Sequence, residues 1–197
     1  MPPSLILAST SLYRRQLLGR LGVPFSTESP GIDESTQPGE GPLSLVGRLA
    51  RAKAAAVAAR HPDAWVLGSD QIAMRETDIL GKPGSSEACV AQLLASSGRE
   101  VAFLTAVCLL RARDSRRLEH VDTTRVHFRQ LAECEVRRYV ALEQPLDCAG
   151  GFKSEGLGIA LFESIESADP TALVGLPLIW VARALREAGL DPLGSEP

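Results

Sequence analysis

The chain has 197 residues, 45% of them apolar, and 21 Lys/Arg against 24 Asp/Glu give a formal net charge of −3. That length and apolar content suit one domain over residues 1–197 with a real core, arranged at most as two lobes around a cleft. The acidic balance excludes the basic surface that a nucleic-acid polymer requires, and no apolar run approaches the roughly 18 residues of a membrane span.

Residues 4–8 (SLILA) read as a short buried strand, and Ser9-Thr10-Ser11 follows it with hydroxyls. Residues 13–21 have leucines at helical spacing, with Ser11 as N-cap and Gly22 and Pro24 as stops. Residues 25–28 form a second candidate strand, and residues 30–42, rich in Gly, Pro, Ser and acids, a mobile loop. An Ala-rich helix is expected over 43–60, then a strand over 65–68 that runs into Ser69-Asp70-Gln71. Residues 72–82 suggest a hairpin with its polar tip at 75–78, and 87–94 a short helix. Two long strands, 101–110 and 120–128, flank a polar connection, and 133–142 form a helix with acids in its first turn. Residues 150–158 read as a second flexible loop, 176–188 as the closing helix and 192–197 as a frayed tail. Helices and strands mix along the whole chain, which argues for an α/β or α+β fold on a mixed sheet.

Met1-Pro2-Pro3-Ser4 lacks a basic n-region, so no secretory signal and a cytoplasmic location are expected. Cys89, Cys108, Cys134 and Cys148 make no C-x-x-C pair, which argues against zinc and for reduced, buried thiols.

Six short units could carry chemistry. In Ser9-Thr10-Ser11-Leu12-Tyr13-Arg14-Arg15 a strand ends in hydroxyls and a helix opens with two arginines. Cations are disfavoured in a first turn unless an anion sits there, and a polyphosphate would suit those donors. Asp33 and Glu34 are adjacent acids in the Gly/Pro loop, a pair that is usually only polar surface. Lys53 is a lone lysine in an Ala-rich helix, a position that is ordinarily solvated. Asp70 follows a buried strand, where a carboxylate can bind a metal or accept a proton from water. Lys82 sits in the tight Gly81-Lys82-Pro83 turn, and residues 147–156 (DCAGGFKSEG) supply small residues that let a ligand approach the backbone.

In order and combination these units resemble the Maf family of nucleotide pyrophosphatases, also described as septum-formation inhibitors. The most specific pieces are LASTS (7–11), GIDES (31–35), GSDQ (68–71), GKP (81–83), CAGGFKSEG (148–156) and VGLPL (174–178). The resemblance implies an elongated mixed sheet flanked by helices, with two lobes around a deep cleft, akin to house-cleaning enzymes for non-standard nucleotides. It implies Asp70 as general base. Ser9, Arg14, Lys53 and Lys82 would contact the phosphates. Mg²⁺ or Mn²⁺ would be held by Glu34 and Asp70, with Asp33 as a further partner. The family's usual Pro-Arg-Arg after the second serine is replaced by Leu12-Tyr13-Arg14-Arg15. Tyr13, with Phe152-Lys153-Ser154-Glu155, looks like the subgroup acting on 7-methyl-GTP, which makes Tyr13, Gln71 and Glu155 the specificity residues. Alternatives are a member preferring dTTP or UTP, and a nucleotide-binding regulator of division with little turnover. The resemblance also admits a homodimer.

Overall fold

The computed structural model of the chain describes residues 4–194. Leu5–Ala8 (β1) is buried along its whole length, as expected of a central strand covered on both faces. It runs parallel to Phe25–Thr27 (β2) on one side and to Trp65–Arg75 (β3) on the other. Beyond β3 the sheet turns antiparallel. Asp78–Leu80 (β4) folds back on the end of β3, while Glu100–Arg111 (β5), Arg116–Phe128 (β6) and Phe162–Glu166 (β7) extend the other side. The result is a seven-stranded mixed sheet, ordered β2-β1-β3-β5-β6-β7, with β4 on β3.

Five α-helices cover it among the described residues: Leu12–Gly19 (α1), Pro42–Ala58 (α2), Ser86–Ser96 (α3), Glu133–Glu143 (α4) and Leu178–Glu187 (α5). Strand alternation sorts the core between the two faces. Ile6, Ala8, Val66, Ala106 and Cys108 pack on Leu45, Val46, Leu49 and Val57 of α2. Leu5, Leu7, Trp65, Leu67, Val107 and Leu109 pack on α1 and α5. A third cluster joins Val101, Phe103, Val126 and Phe128 to α3, α4 and Phe152.

The register leaves a gap in this sheet. One edge of β3 pairs with β1 only as far as Gly68, opposite Ala8, and with β4 only from Ala73, opposite Leu80. Ser69–Ile72 lie between. This corrects the expected strand end at Gly68. The strand continues through Asp70 because β5 pairs with it antiparallel from Val66 to Met74; it is β1 that stops. The expected hairpin exists, but as the tail of β3 with β4, turning at Glu76 in a left-handed conformation.

Other expectations change too. The supposed flexible loop at 150–158 is packed structure: Gly150, Gly151 and Phe152 are buried, and Phe152 contacts Phe103, Phe128 and Phe162 edge-on. Strand β7 was not foreseen. The loop at 30–42 is held in part by Arg48, which pairs with Glu40 at 2.7 Å and donates to the Ser35 carbonyl. Cys89 and Cys108 are buried as expected, but Cys134 is exposed and Cys148 only half-buried; all four are free. Residues 192–194 make a turn on Asp191; the rest of the expected tail and Met1-Pro2-Pro3 lie outside the described residues. No helix among the described residues is long and apolar enough to cross a membrane.

Candidate active site

The gap in the sheet opens into a cleft of about 770 Å³. Its lining includes the N-terminus of α1, residues 29–32 and Glu34 of the loop, Lys53, Asp70, Gln71 and Lys82, with residues 147–149, Phe152, Ser154 and Glu155. Nine of the ten expected site residues line it: Ser9, Tyr13, Arg14, Glu34, Lys53, Asp70, Gln71, Lys82 and Glu155. Asp33 does not. Its carboxylate accepts from the Ser35 amide and hydroxyl, both at 2.9 Å, and closes a turn that lowers its pKa. The Asp33 of the expected metal set is therefore a loop-forming residue, and Glu34 alone of the pair reaches the cleft.

Lys53 is the reverse of the solvated lysine its helix suggested. It is 6% exposed, and its ammonium lies 2.8 Å from Asp70 Oδ1 and 2.9 Å from Glu34 Oε1. A buried ammonium needs such partners. It has three donors, so one remains for a ligand. Gly68 makes the approach of helix to strand possible. A Cβ there would stand 2.3 Å from the Ala50 carbonyl oxygen and 2.6 Å from the Ala54 nitrogen of α2. Bare backbone at position 68 lets α2 sit against β3 and brings Lys53 over Asp70.

One side of the cleft is built where β1 ends. Ser9 Oγ accepts from the Ser11 amide at 3.1 Å and keeps its hydrogen as a donor. Ser11 caps α1 by accepting from the Arg14 amide at 3.4 Å, so the positive end of the helix faces the cleft. Arg14 is half-buried and its Nε donates to the Gly175 carbonyl at 3.2 Å. Burial lowers its pKa, while Asp70 and Glu34 act to raise it. Lys82 is exposed in a turn fixed by the Gly84 amide on the Leu146 carbonyl, 3.0 Å. Arg14 and Lys82 make no ion pair among the described residues.

At the other end, Tyr13 and Glu155 meet Asp147, Cys148 and Phe152. Burial, then the neighbouring Cys148 and Asp147, push the Tyr13 phenol up to about 12, so the ring is neutral near pH 7. Cys148 is likewise raised to about 12, chiefly by burial and then by Asp147, and is no activated nucleophile. Lys153, in contrast, points away: its ammonium donates to the Glu143 carbonyl at the C-terminus of α4. Sequence reading missed Phe103 as a wall and Thr105, Ser69 and Gly175 as supports. A threonine or a serine inside an apolar strand was the only signal available.

This arrangement sets the N-terminus of α1 beside the buried Lys53–Asp70 pair, with the exposed Glu34 on its open side, in one cleft of a mixed α/β fold. The family model for Maf-like proteins matches residues 4–188, and the chain belongs to that family. It is 57% identical over 189 residues to a 7-methyl-GTP pyrophosphatase of Xanthomonas axonopodis pv. citri, covering 96% of this chain and 98% of that one. A protein of the same name from Pseudomonas aeruginosa is 51% identical over 189 residues, with the same two coverages. Among solved structures, the Staphylococcus aureus Ham1 protein superposes with a TM-score of 0.52 at 14% identity, covering 94% of this chain and 99% of that chain; the likeness is one of fold.

Proposed function

We propose that the chain is a nucleoside triphosphate pyrophosphatase that hydrolyses 7-methyl-GTP to the monophosphate and pyrophosphate. The observation that carries the chemistry is the buried contact of Lys53 with Asp70, joined from the solvent side by the exposed Glu34, beside the N-terminus of α1. The names of relatives at 50–58% identity support the substrate.

In this reading Asp70 takes a proton from the attacking water at its carboxylate, and Lys53 holds that carboxylate in place. The water attacks the α-phosphorus in line with the leaving pyrophosphate. Arg14, Lys82 and the third N–H of Lys53 receive the charge that develops on the leaving oxygens. Ser9 and the first turn of α1 bind the non-bridging oxygens.

The donor set fits a hard divalent ion. Glu34 and Asp70 supply oxygens that both meet the Lys53 ammonium, and Mg²⁺ or Mn²⁺ is usually held by one or two carboxylates plus phosphate oxygens. The three cationic side chains of the lining face four carboxylates, so the cleft itself does not balance a tetra-anionic triphosphate. Bound there, the ion would supply that charge neutralisation. The reading carries with it a cytoplasmic location, where nucleoside triphosphates reside.

At the base end, a cationic 7-methylguanine ring suits the neutral face of Tyr13, a contact worth about 0.5–2 kcal/mol. Glu155 can accept the N1–H and the exocyclic amine of guanine. The test is Asp70→Asn, assayed by pyrophosphate release. The variant should keep its fold and nucleotide binding and lose about 10²–10⁴ in kcat. A folded variant with near-normal turnover removes Asp70 from the mechanism.

A further inference from the structure

The short helical turn Ala172–Val174 and Gly175 hold Arg14 and Gln71, two side chains of the cleft, by backbone carbonyls. The Gly175 carbonyl accepts from Arg14 Nε at 3.2 Å and from Ser69 Oγ at 2.9 Å. With Nε engaged, the terminal nitrogens of Arg14 are left for phosphate. Gly175 adopts φ +119°, and a Cβ there would sit 3.2 Å from Arg14 Nε, so a side chain at this position would press on the arginine it seats.

One turn earlier, Gln71 Nε2 lies 3.0 Å from the Ala172 carbonyl, 3.1 Å from that of Leu173 and 2.9 Å from Thr105 Oγ1. An amide nitrogen has two hydrogens, so its donor capacity is spent inside the protein. What Gln71 keeps for a ligand is its oxygen. Thr105, fully buried on β5 directly opposite Gln71, closes the triangle by donating to the Ala172 carbonyl at 3.0 Å. The turn is tied down in its own right. Asp169, 3% exposed, accepts from the Thr171 amide at 2.9 Å and from the Ile179 amide of α5 at 2.7 Å.

We propose that this turn is a positioning device that fixes the phosphate arm and the base reader in one register, with Ser69 and Thr105 as its two pins. Thr105 orients Gln71 so that it offers the base an acceptor and no donor; Ser69 holds the carbonyl on which Arg14 rests. Neither pin touches substrate. The inference rests on the reading of the cleft as a nucleotide site with its base near Gln71, and adds that base choice and turnover are set by separate pins.

The experiment measures kcat and KM over 7-methyl-GTP, GTP, ATP, CTP, dTTP and UTP, together with Tm, for the wild type, Thr105→Val, Thr105→Ser and Ser69→Ala. Loss of one buried orienting hydrogen bond sets the scale at about three- to tenfold. Thr105→Val should narrow the spread in kcat/KM between best and worst base by about that factor, through KM on the preferred base. Thr105→Ser, which keeps the hydroxyl, should restore it. Ser69→Ala should lower kcat by a similar factor alike on every base. The spread is defined by whichever base the wild type prefers, so a preference for dTTP would sink the 7-methyl-GTP reading and still test the pins. An unchanged spread in folded Thr105→Val, an equal loss on all bases, or a wild type without base preference overturns the proposal. If Thr105→Val does not fold, Ser69→Ala decides: wild-type kcat, or a loss that differs between bases, overturns it.

Discussion

Asp122 lies next to Thr105 across β5 and β6 and is 6% exposed. Burial first, and then Asp169, raise its pKa above the ordinary 3.8, while His120 and Thr124 act the other way. Between 3.8 and the raised value the folded protein keeps this proton and the unfolded chain releases it. Stability therefore falls as pH rises through that window and stays lower above it. Asp122→Asn removes the penalty, so the variant should melt above the wild type at pH 7, and the gap should close as pH falls below 3.8. Equal melting at pH 7 would contradict this assignment. Composition makes Lys53 a solvated helix residue and Asp33-Glu34 a polar loop pair. What separates Asp33 from Glu34, and buries Lys53, is contact between α2, β3 and the 29–34 loop. No local pattern encodes that contact; the family resemblance implies roles for Lys53 and Glu34 but keeps Asp33 beside them.

Elements were more legible, because periodicity and caps act locally. All five helices and the strands β1, β2, β5 and β6 stand close to where their patterns put them. The errors have physical causes. The sequence pattern ends a strand at Gly68, whereas Gly68 sits inside β3 and serves the packing of α2. The glycines of residues 150–158 suggest flexibility, but Phe152 anchors them in an aromatic cluster. Strand β7, with four of its five residues exposed, has no alternating apolar face to reveal it. The account of Gly68 is testable at this scale. Gly68→Ala forces a methyl into the backbone of α2, and overpacking of this kind costs about 1–3 kcal/mol. Tm should drop, and the folded fraction should turn over more slowly as Lys53 is lifted from Asp70 and Glu34. Wild-type Tm and kcat together would show that the close approach of α2 is dispensable.

For the molecule as a whole, the mixed sheet explains how residues from both of its faces come to line one cleft. Where β1 stops and β4 has not begun, Asp70 and Gln71, adjacent on β3, project to opposite faces of the sheet and still line the same opening. The cleft carries one more carboxylate than cations, so catalysis should depend on a divalent ion. Excess chelator should abolish pyrophosphate release, and added Mg²⁺ or Mn²⁺ should restore it. Glu34→Gln should raise the metal concentration needed. Full activity in chelator would remove the ion from the account.

The central claim is the cationic purine at the Tyr13 end of a pyrophosphatase cleft. It is tested most directly by kcat/KM for 7-methyl-GTP against GTP, dTTP and UTP under one set of conditions, with pyrophosphate and the nucleoside monophosphate identified as products. The account predicts the highest value for 7-methyl-GTP. It also predicts that Tyr13→Arg, which sets a cation against a cation, lowers the advantage over GTP by about tenfold, the scale of a desolvated cation–π contact. A higher kcat/KM for dTTP or UTP than for 7-methyl-GTP in the wild-type enzyme would contradict it.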